Sequence, residues 1–315
     1  MTTLPTDVSD PCYHDDEAAR VMFEAIRWPD GPYCPECGAL DTVSTLGGES
    51  MGAGWYWCNA CREKFTVRVG SVLQRSHIPL HKWLIAFRQM ASSKKGVSAH
   101  QLHRTLGIAY KSAWFMAHRI RKAMTDTESS DLLGGEGKFV ESDETFVGGK
   151  ARNRAYRAPA PKKAVVALVE RQGRVRSRHV PEVTAATLRP ILEKQIDKAS
   201  HLRTDESGVY WAIGEKFASH KTVVHSADEY VRGDAHTNTA ENFFSIFKRG
   251  IYGIYQHVSE DHLHRYLAEF DFRYSNRVRL GVDDAERTQR AIKGAAGKRL
   301  TYRQPRSQGE EAGTA

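Results

Sequence analysis

The chain has 315 residues, 40% hydrophobic and 27% charged, with a net charge of +8. That is room for one large or two to three small domains with a real core, in the composition range of soluble globular proteins. No apolar run approaches the roughly 18 residues that a membrane helix needs, and the acidic start "MTTLPTDVSDPCYHDDE" lacks the apolar centre of a secretory signal, so a cytoplasmic protein without a membrane partner is expected.

The charge comes in blocks. Residues 79–125 hold 9 basic residues and no acid, 126–149 hold 1 basic and 7 acidic, and 150–180 hold 10 basic and 1 acidic. Two basic blocks around an acidic one suggest a polyanion, most often nucleic acid. The alternative is a solvated face beside a flexible loop.

Residues 1–28 read as an N-terminal helical segment, and the next unit, 29–76, carries the cysteines. Cys34 and Cys37 in "CPECG" and Cys58 and Cys61 in "CNACREKF" are two Cys-x-x-Cys pairs separated by 20 residues. Each pair on a tight turn aims two thiolates at one point, and two such turns complete a tetrahedron, the pattern of a zinc ribbon. Four thiolates leave no open coordination position, so one structural Zn²⁺ is expected. Without a secretory signal, disulfides are the weaker reading. Cys12 is left without a role.

Residues 77–126 read as three helices. Leu80, Trp83, Leu84 and Phe87 recur at helical spacing. Ser98 is an N-cap candidate for a helix carrying Leu102 and Leu106, and "LGI" is a glycine turn. The third helix carries Ala113, Trp114, Met116, Ala117, Ile120 and Met124. A short helix, a glycine turn and a longer basic helix have the form of a helix-turn-helix. Its exposed face would offer Tyr110, Lys111, Ser112, His118, Arg119, Arg121 and Lys122 to phosphates and base edges. An ordinary helical hairpin with a basic face is the alternative.

The strand "KFVESDETFVGG" places Glu141, Asp143 and Glu144 in what should be a buried element, where an unpaired carboxylate costs several kcal/mol unless a cation answers it. Alternation puts Phe139, Glu141, Asp143, Thr145 and Val147 on one face. Two strands joined at Gln172-Gly173 follow, then a helix despite Pro190, a strand ending near Asp205, another at "KTVVHS" and two long helices. The order is that of a ribonuclease H-like sheet if a short helix follows Gly208, a fold in which acids from neighbouring strand ends and one helix hold two divalent metals. Asp205 follows its strand, Glu241 lies near a helix start, and Lys248 is two turns further along the same helix face. A sparse carboxylate site suits Mg²⁺, which keeps several of its waters. Each residue also has a plainer reading: Asp143 or Asp205 as a turn or cap, Glu141 or Glu144 as a solvated acid, Glu241 and Lys248 as surface charge.

From about residue 15 to 280 the chain resembles the zinc-ribbon DDE transposases of bacterial insertion sequences, the ISXO-like branch. The resemblance rests on "RWPDGPYCPECG", "WCNACREKFTVRVGSVL", "KKGVSAHQLHRTLGIAYKSAWFMAHRIRKAM", "ESDETFVGG", "TDESGVY" and "HTNTAENFFSIFKRGIYGIY". It implies a multidomain α+β chain: a zinc ribbon, a helix-turn-helix, then an α/β ribonuclease H-like catalytic domain over 135–280. It places the triad on Asp143, Asp205 and Glu241, binding two Mg²⁺ (or Mn²⁺), with Lys248 as the following basic residue. Some relatives have Asn in the third position, and Asn242 adjoins Glu241. The implied activity is binding of terminal repeats followed by strand cleavage and transfer. The partner is double-stranded DNA, both transposon ends and target, engaged by a homo-oligomer in the nucleoid. Arg152 and Arg154 in the basic linker and Arg249 beside Lys248 join the expected DNA contacts. The alternatives are a domesticated DNA-binding regulator and a nuclease on the same fold. Residues 281–315 are expected to be a largely disordered tail.

Overall fold

The computed structural model describes residues 3–48, 51–126, 131–148, 162–205, 207–223, 234 and 236–301. Helix α1 (Asp16–Arg27) starts where the Asp15 side chain accepts from the Ala18 N–H. Three short strands, β1 (Val43–Leu46), β2 (Trp55–Cys58) and β3 (Glu63–Phe65), form an antiparallel sheet in that order. Helices α2 (Leu80–Ser92), α3 (Ala99–Leu106) and α4 (Tyr110–Ala123) follow. Ser98 caps α3 by accepting from the Gln101 N–H, and Gly107, left-handed at φ +58°, ends it.

The second sheet has β4 (Phe139–Val147) at its centre. β5 (Lys163–Glu170) and β6 (Val175–Val180) form the expected hairpin, with Gln172 at φ +57° in the turn. Helix α5 (Ala185–Gln195) contains Pro190, and β7 (His201–Asp205), the short α6 (Trp211–Gly214) and β8 (Ser219–Val223) follow. The strand order is β6-β5-β4-β7-β8, with β5 antiparallel to both neighbours and β4, β7 and β8 mutually parallel. Helices α7 (Asn238–Gly250) and α8 (Glu260–Ser275) cover one face, packing Phe243, Phe247 and Phe270 against Val165, Ala167 and Val169. Residues of α5 and α6 cover the other face, where Leu188, Leu192 and Ile213 meet Val140, Val166 and Leu202. Strand alternation thus separates two apolar cores across one sheet.

A third core joins what the sequence divides. Phe23 of α1, Trp28, Phe65 of the ribbon, Phe87 of α2, Leu102 of α3 and Ile120 of α4 belong to one buried cluster. The expected disordered tail is corrected here. Residues Asp284–Lys293 form helix α9, capped by Asp283, and bury Ala285, Ala291 and Ile292 in that same cluster. Its alanine-rich apolar stripe is short, and only packing against α1, α2 and α4 makes it a stable helix. Residues 302–315 of the expected tail lie outside the described residues.

The two halves meet through buried charge. Arg121 on α4 donates through Nε to Glu269 on α8 at 2.6 Å, and Glu269 also pairs with Arg273 and accepts from the Tyr255 hydroxyl at 2.6 Å. Arg273 reaches back to the Met90 carbonyl of α2 at 3.3 Å. Among the described residues no helix is long and apolar enough to cross a membrane.

Candidate metal centres and nucleic-acid interface

The four cysteines converge. Sγ of Cys34 lies 3.5 Å from Sγ of Cys61, and Sγ of Cys37 lies 3.6 Å from Sγ of Cys58. All four sulfurs fall within 4.8 Å of one another. Zn–S bonds of about 2.3 Å in a tetrahedron put sulfurs about 3.8 Å apart, so the donor set fits Zn²⁺. The two turns are alike: Gly38 N–H donates to the Cys34 carbonyl and Arg62 N–H to the Cys58 carbonyl, each at 2.9 Å. Gly38 and Arg62 both adopt positive φ, +78° and +59°. Backbone N–H groups directed at Cys58 hold its thiol down at about 6, whereas burial and its cysteine neighbours push the Cys61 thiol up to about 12.

The acidic strand resolves into three different roles. Glu141 is fully buried, and its carboxylate is the anchor of α7. It accepts from the Thr239 N–H at 2.8 Å, the Ala240 N–H at 3.0 Å and the Thr239 hydroxyl at 2.9 Å. Arg171 Nε lies 2.6 Å away and His236 Nδ1 3.3 Å away. A carboxylate at a helix N-terminus meets both free N–H groups and the positive end of the helix dipole. Glu144 faces the opposite side of the strand, where it accepts from the buried Tyr210 hydroxyl at 2.5 Å, and burial raises its carboxyl.

Among the described residues no ion pair holds Asp143, which accepts a hydrogen bond from the Glu144 N–H at 2.8 Å. Burial pushes its carboxyl up to about 7, with further upward pressure from Glu144, Asp205 and Glu241. The parallel register pairs Phe139 with His201 and Glu141 with Arg203; continued by two residues, it sets Asp143 beside Asp205 at the end of β7. Asp205 accepts from the Ser207 N–H at 3.1 Å. Glu241 lies in the first turn of α7, two residues beyond the Thr239 that Glu141 holds, and accepts from the Thr237 hydroxyl at 3.2 Å. The three acids therefore lie towards one sheet face, and the charges of Asp205 and Glu241 both act on Asp143. Among the described residues the four cysteines are the one group of three or more metal-ligating side chains already drawn together at a single point. An acidic cluster that includes a half-buried carboxylate without a counter-charge fits divalent cations. Lys248 is half-buried two turns along α7 and Arg249 is exposed. Asn242 lines a basic cleft beside the start of the helix.

The expected DNA face of α4 needs correction. Tyr110 and Lys111 are exposed, and Ser112, Arg119 and Lys122 are half-buried. His118 and Arg121 are buried, 0% and 2% exposed, and cannot reach DNA from there. His118 packs against Trp114 at 4.2 Å, His262 at 5.2 Å and Tyr266 at 5.7 Å, and burial with nearby Arg121 and Arg265 keeps its imidazole neutral. These positions face α8, a partner that the helix's own periodicity cannot announce. Arg152 and Arg154 lie outside the described residues. The anchoring set of Glu141, Arg171 and Thr239 was missed in the sequence. The one local signal was that Glu141 shares a strand face with Asp143.

A family model described as an ISXO2-like transposase domain matches residues 132–275, and one described as a transposase zinc-ribbon domain matches residues 14–64. The chain is 29% identical over 276 residues to the "Uncharacterized protein in transposable element ISH50" of Halobacterium salinarum, covering 82% of this chain and 90% of that protein. Among solved structures it is similar to a pre-cleavage Mos1 transpososome (TM-score 0.27, 11% identity, 62% of this chain and 70% of the other). It is similar also to a Mos1 transposase paired-end complex with left transposon end (TM-score 0.28, 11% identity, 66% and 74%). Superpositions that loose carry no argument about fold or mechanism. The two family matches together span more than half of the sequence, one over the cysteine centre and one over the acidic face, and the chain belongs to the family of ISXO2-like insertion-sequence transposases.

Proposed function

We propose that the protein binds the terminal repeats of its insertion sequence and cuts and joins DNA strands through a DDE site formed by Asp143, Asp205 and Glu241. The observation that supports this reading is Asp143, a buried carboxyl raised by the nearby charges of Asp205 and Glu241, on the strand that runs parallel to β7 and under α7. A central strand flanked by an antiparallel hairpin on one side and parallel strands on the other supports a ribonuclease H-like catalytic domain over 135–280. The three helices over 77–126, with Gly107 at the turn, support a helix-turn-helix that presents Lys111, Ser112, Arg119 and Lys122.

In this reading the three carboxylates hold two Mg²⁺ (or Mn²⁺), which supply Lewis-acid stabilisation of the attacking and leaving oxygens. The chain's own residues do the rest. Asp143 and Asp205 set the ligand geometry from rigid neighbouring strands. Glu141 fixes the start of α7 and so the place of Glu241. Lys248 and Arg249 clamp the DNA backbone next to the scissile phosphodiester. Water opens that bond and frees a 3′-hydroxyl, which attacks target DNA directly, with no covalent protein–DNA link. A structural Zn²⁺ on Cys34, Cys37, Cys58 and Cys61 keeps the DNA-binding end folded. A homo-oligomer holds paired ends.

The test is strand cleavage of a labelled duplex from the DNA flanking the gene, with and without Mg²⁺, for wild type and Asp205→Ala. Mg²⁺-dependent cutting at the repeat boundary, lost in the variant, is the expected result. Specific binding with no cutting in either protein would replace this reading with that of a DNA-binding regulator.

A further inference from the structure

A cleft of about 790 Å³ lies beside the start of α7, between the end of α2, the β5–β6 turn and the C-terminal half of α8, and shares Arg171, His236 and Thr239 with the surroundings of Glu141. Six cations line it: Lys94, Arg171, Arg273, Arg277, Arg279 and Arg287. Three of them answer to carboxylates: Arg171 to Glu141, Arg273 to Glu269 and Arg287 to Asp284. Lys94, Arg277 and Arg279 have no carboxylate partner among the described residues, so the cleft carries an excess of positive charge. Donors are in excess as well: Nε and Nη2 of Arg273, a residue only 6% exposed, are buried without an acceptor. A concave site with this imbalance favours an anion.

The shape narrows the ligand. A cavity of this volume takes a ligand of roughly one or two nucleotides, not a double helix. The half-buried Arg277 guanidinium lies 4.2 Å over the Tyr274 ring and is fixed there by Nη1 donating to the Gly173 and Tyr274 carbonyls at 2.9 and 2.6 Å, and nucleobases stack on such planes. Ile246 and the exposed Val278 supply apolar wall. Thr239 and Asn242 line the cleft from the same helix turn that carries Glu241, so a strand leaving the acidic face has a short path into it.

We propose that this cleft captures the unpaired end of a single DNA strand beside the cleavage site, with phosphates on Lys94 and Arg279 and a base on the Arg277 guanidinium. The proposal rests on the transposase reading above for the source of that strand.

The test is binding of a short labelled oligothymidylate in magnesium-free buffer, compared with a blunt duplex of the same length, for the full chain and for Lys94→Ala/Arg279→Ala. Both side chains are exposed, so the fold is expected to survive, and retained zinc content checks this. The expected result is about a tenfold loss of oligothymidylate affinity, with the salt slope reduced by about 1.4 at ~0.7 per phosphate contact. Duplex affinity changes by less than about twofold if it is governed by α4. Equal losses for both probes, no loss for either, or a wild-type protein that ignores oligothymidylate would each overturn the proposal. Because no cutting is measured, failure here leaves the Mg²⁺-dependent cleavage test untouched, and failure of that test leaves this one readable.

Discussion

Glu141 and Asp143 are two residues apart on one strand face, yet their surroundings assign them opposite behaviour. Glu141 is met by Arg171, His236 and two helix N–H groups, so its charge is fully answered. Removing one member of such a buried set leaves the others unpaired, and Glu141→Gln should destabilise the protein by about 3 kcal/mol in urea unfolding. Glu144→Gln keeps an acceptor for the Tyr210 hydroxyl and should cost under about 1 kcal/mol. If the two variants were equally stable, the anchoring role of Glu141 would be wrong. Asp143 is held up to about 7 by burial, against an ordinary value of 3.8. Between those values the folded chain binds a proton that the unfolded chain has released, so Asp143 makes stability fall as pH rises through that window. Asp143→Asn should therefore raise the melting temperature of the magnesium-free protein most at pH 8, by less than half as much at pH 5, and hardly at all below pH 4. Mg²⁺ should stabilise wild type at pH 8 and not the variant. Equal melting temperatures at pH 8 without Mg²⁺ would show that Asp143 is not a strained acid.

At the scale of elements, α4 separates what a helix says about itself from what its neighbours decide. Lys111 is exposed and His118 is buried against Trp114, His262 and Tyr266. Lys111→Ala should weaken binding to the terminal-repeat duplex and reduce the salt slope by about 0.9, with stability unchanged. His118→Ala should do the reverse, lowering the melting temperature through a core cavity while the folded fraction binds DNA as before. Electrophoretic or anisotropy titrations at several salt concentrations, beside thermal melts, separate the two, and a His118 variant that lost affinity without losing stability would restore that residue to the interface. The sequence exposed whatever was encoded locally. Cys-x-x-Cys at each turn, Ser98 as a cap, Gly107 at φ +58° and Gln172-Gly173 in the hairpin all depend on neighbours a few residues away. It hid whatever depended on a partner far along the chain. Arg121 looked like an exposed cation because Glu269, its partner, is 148 residues further on. Glu141 looked like one acid among three because Thr239 is 98 residues away. That Asp143, Asp205 and Glu241 come near one another was expected from acids placed at strand ends and a helix start, and Asp143 does feel the other two, although what brings them near is the long-range pairing of β4 with β7 and the packing of α7.

At the scale of the whole molecule, the last helix among the described residues completes the first domain. α9 lies against α1, α2 and α4, burying Ala285, Ala291, Ile292 and Ala295 in the core that also holds Phe23 and Phe87. Its polar groups are committed to the same task. Arg287 donates to the Ala91 carbonyl at the end of α2, and Lys298 Nζ donates to the carbonyls of Ala123 and Thr125 at 3.1 and 2.6 Å, satisfying the end of α4. A chain ending at Gly281 would expose that apolar surface and leave those carbonyls to water. Burial of a single Ile is worth about 1.5–3 kcal/mol, so the loss should exceed about 3 kcal/mol when the alanines and the helix-end bonds are added. It should also be local. Hydrogen-exchange protection should collapse in α2 and α4 while β4, β5 and β7 keep theirs, because the sheet packs against α5 to α8 and not against α9. Terminal-repeat binding should fall with the protection of α4, and zinc should bind more loosely, since Cys34 and Cys58 sit in the same core. Protection unchanged in α2 would mean that α9 only decorates the domain. Protection lost uniformly across both halves would mean that the Arg121–Glu269–Arg273 network makes the molecule one cooperative unit, so that events in the core of α1, α2 and α4 are felt at α7 and its carboxylate.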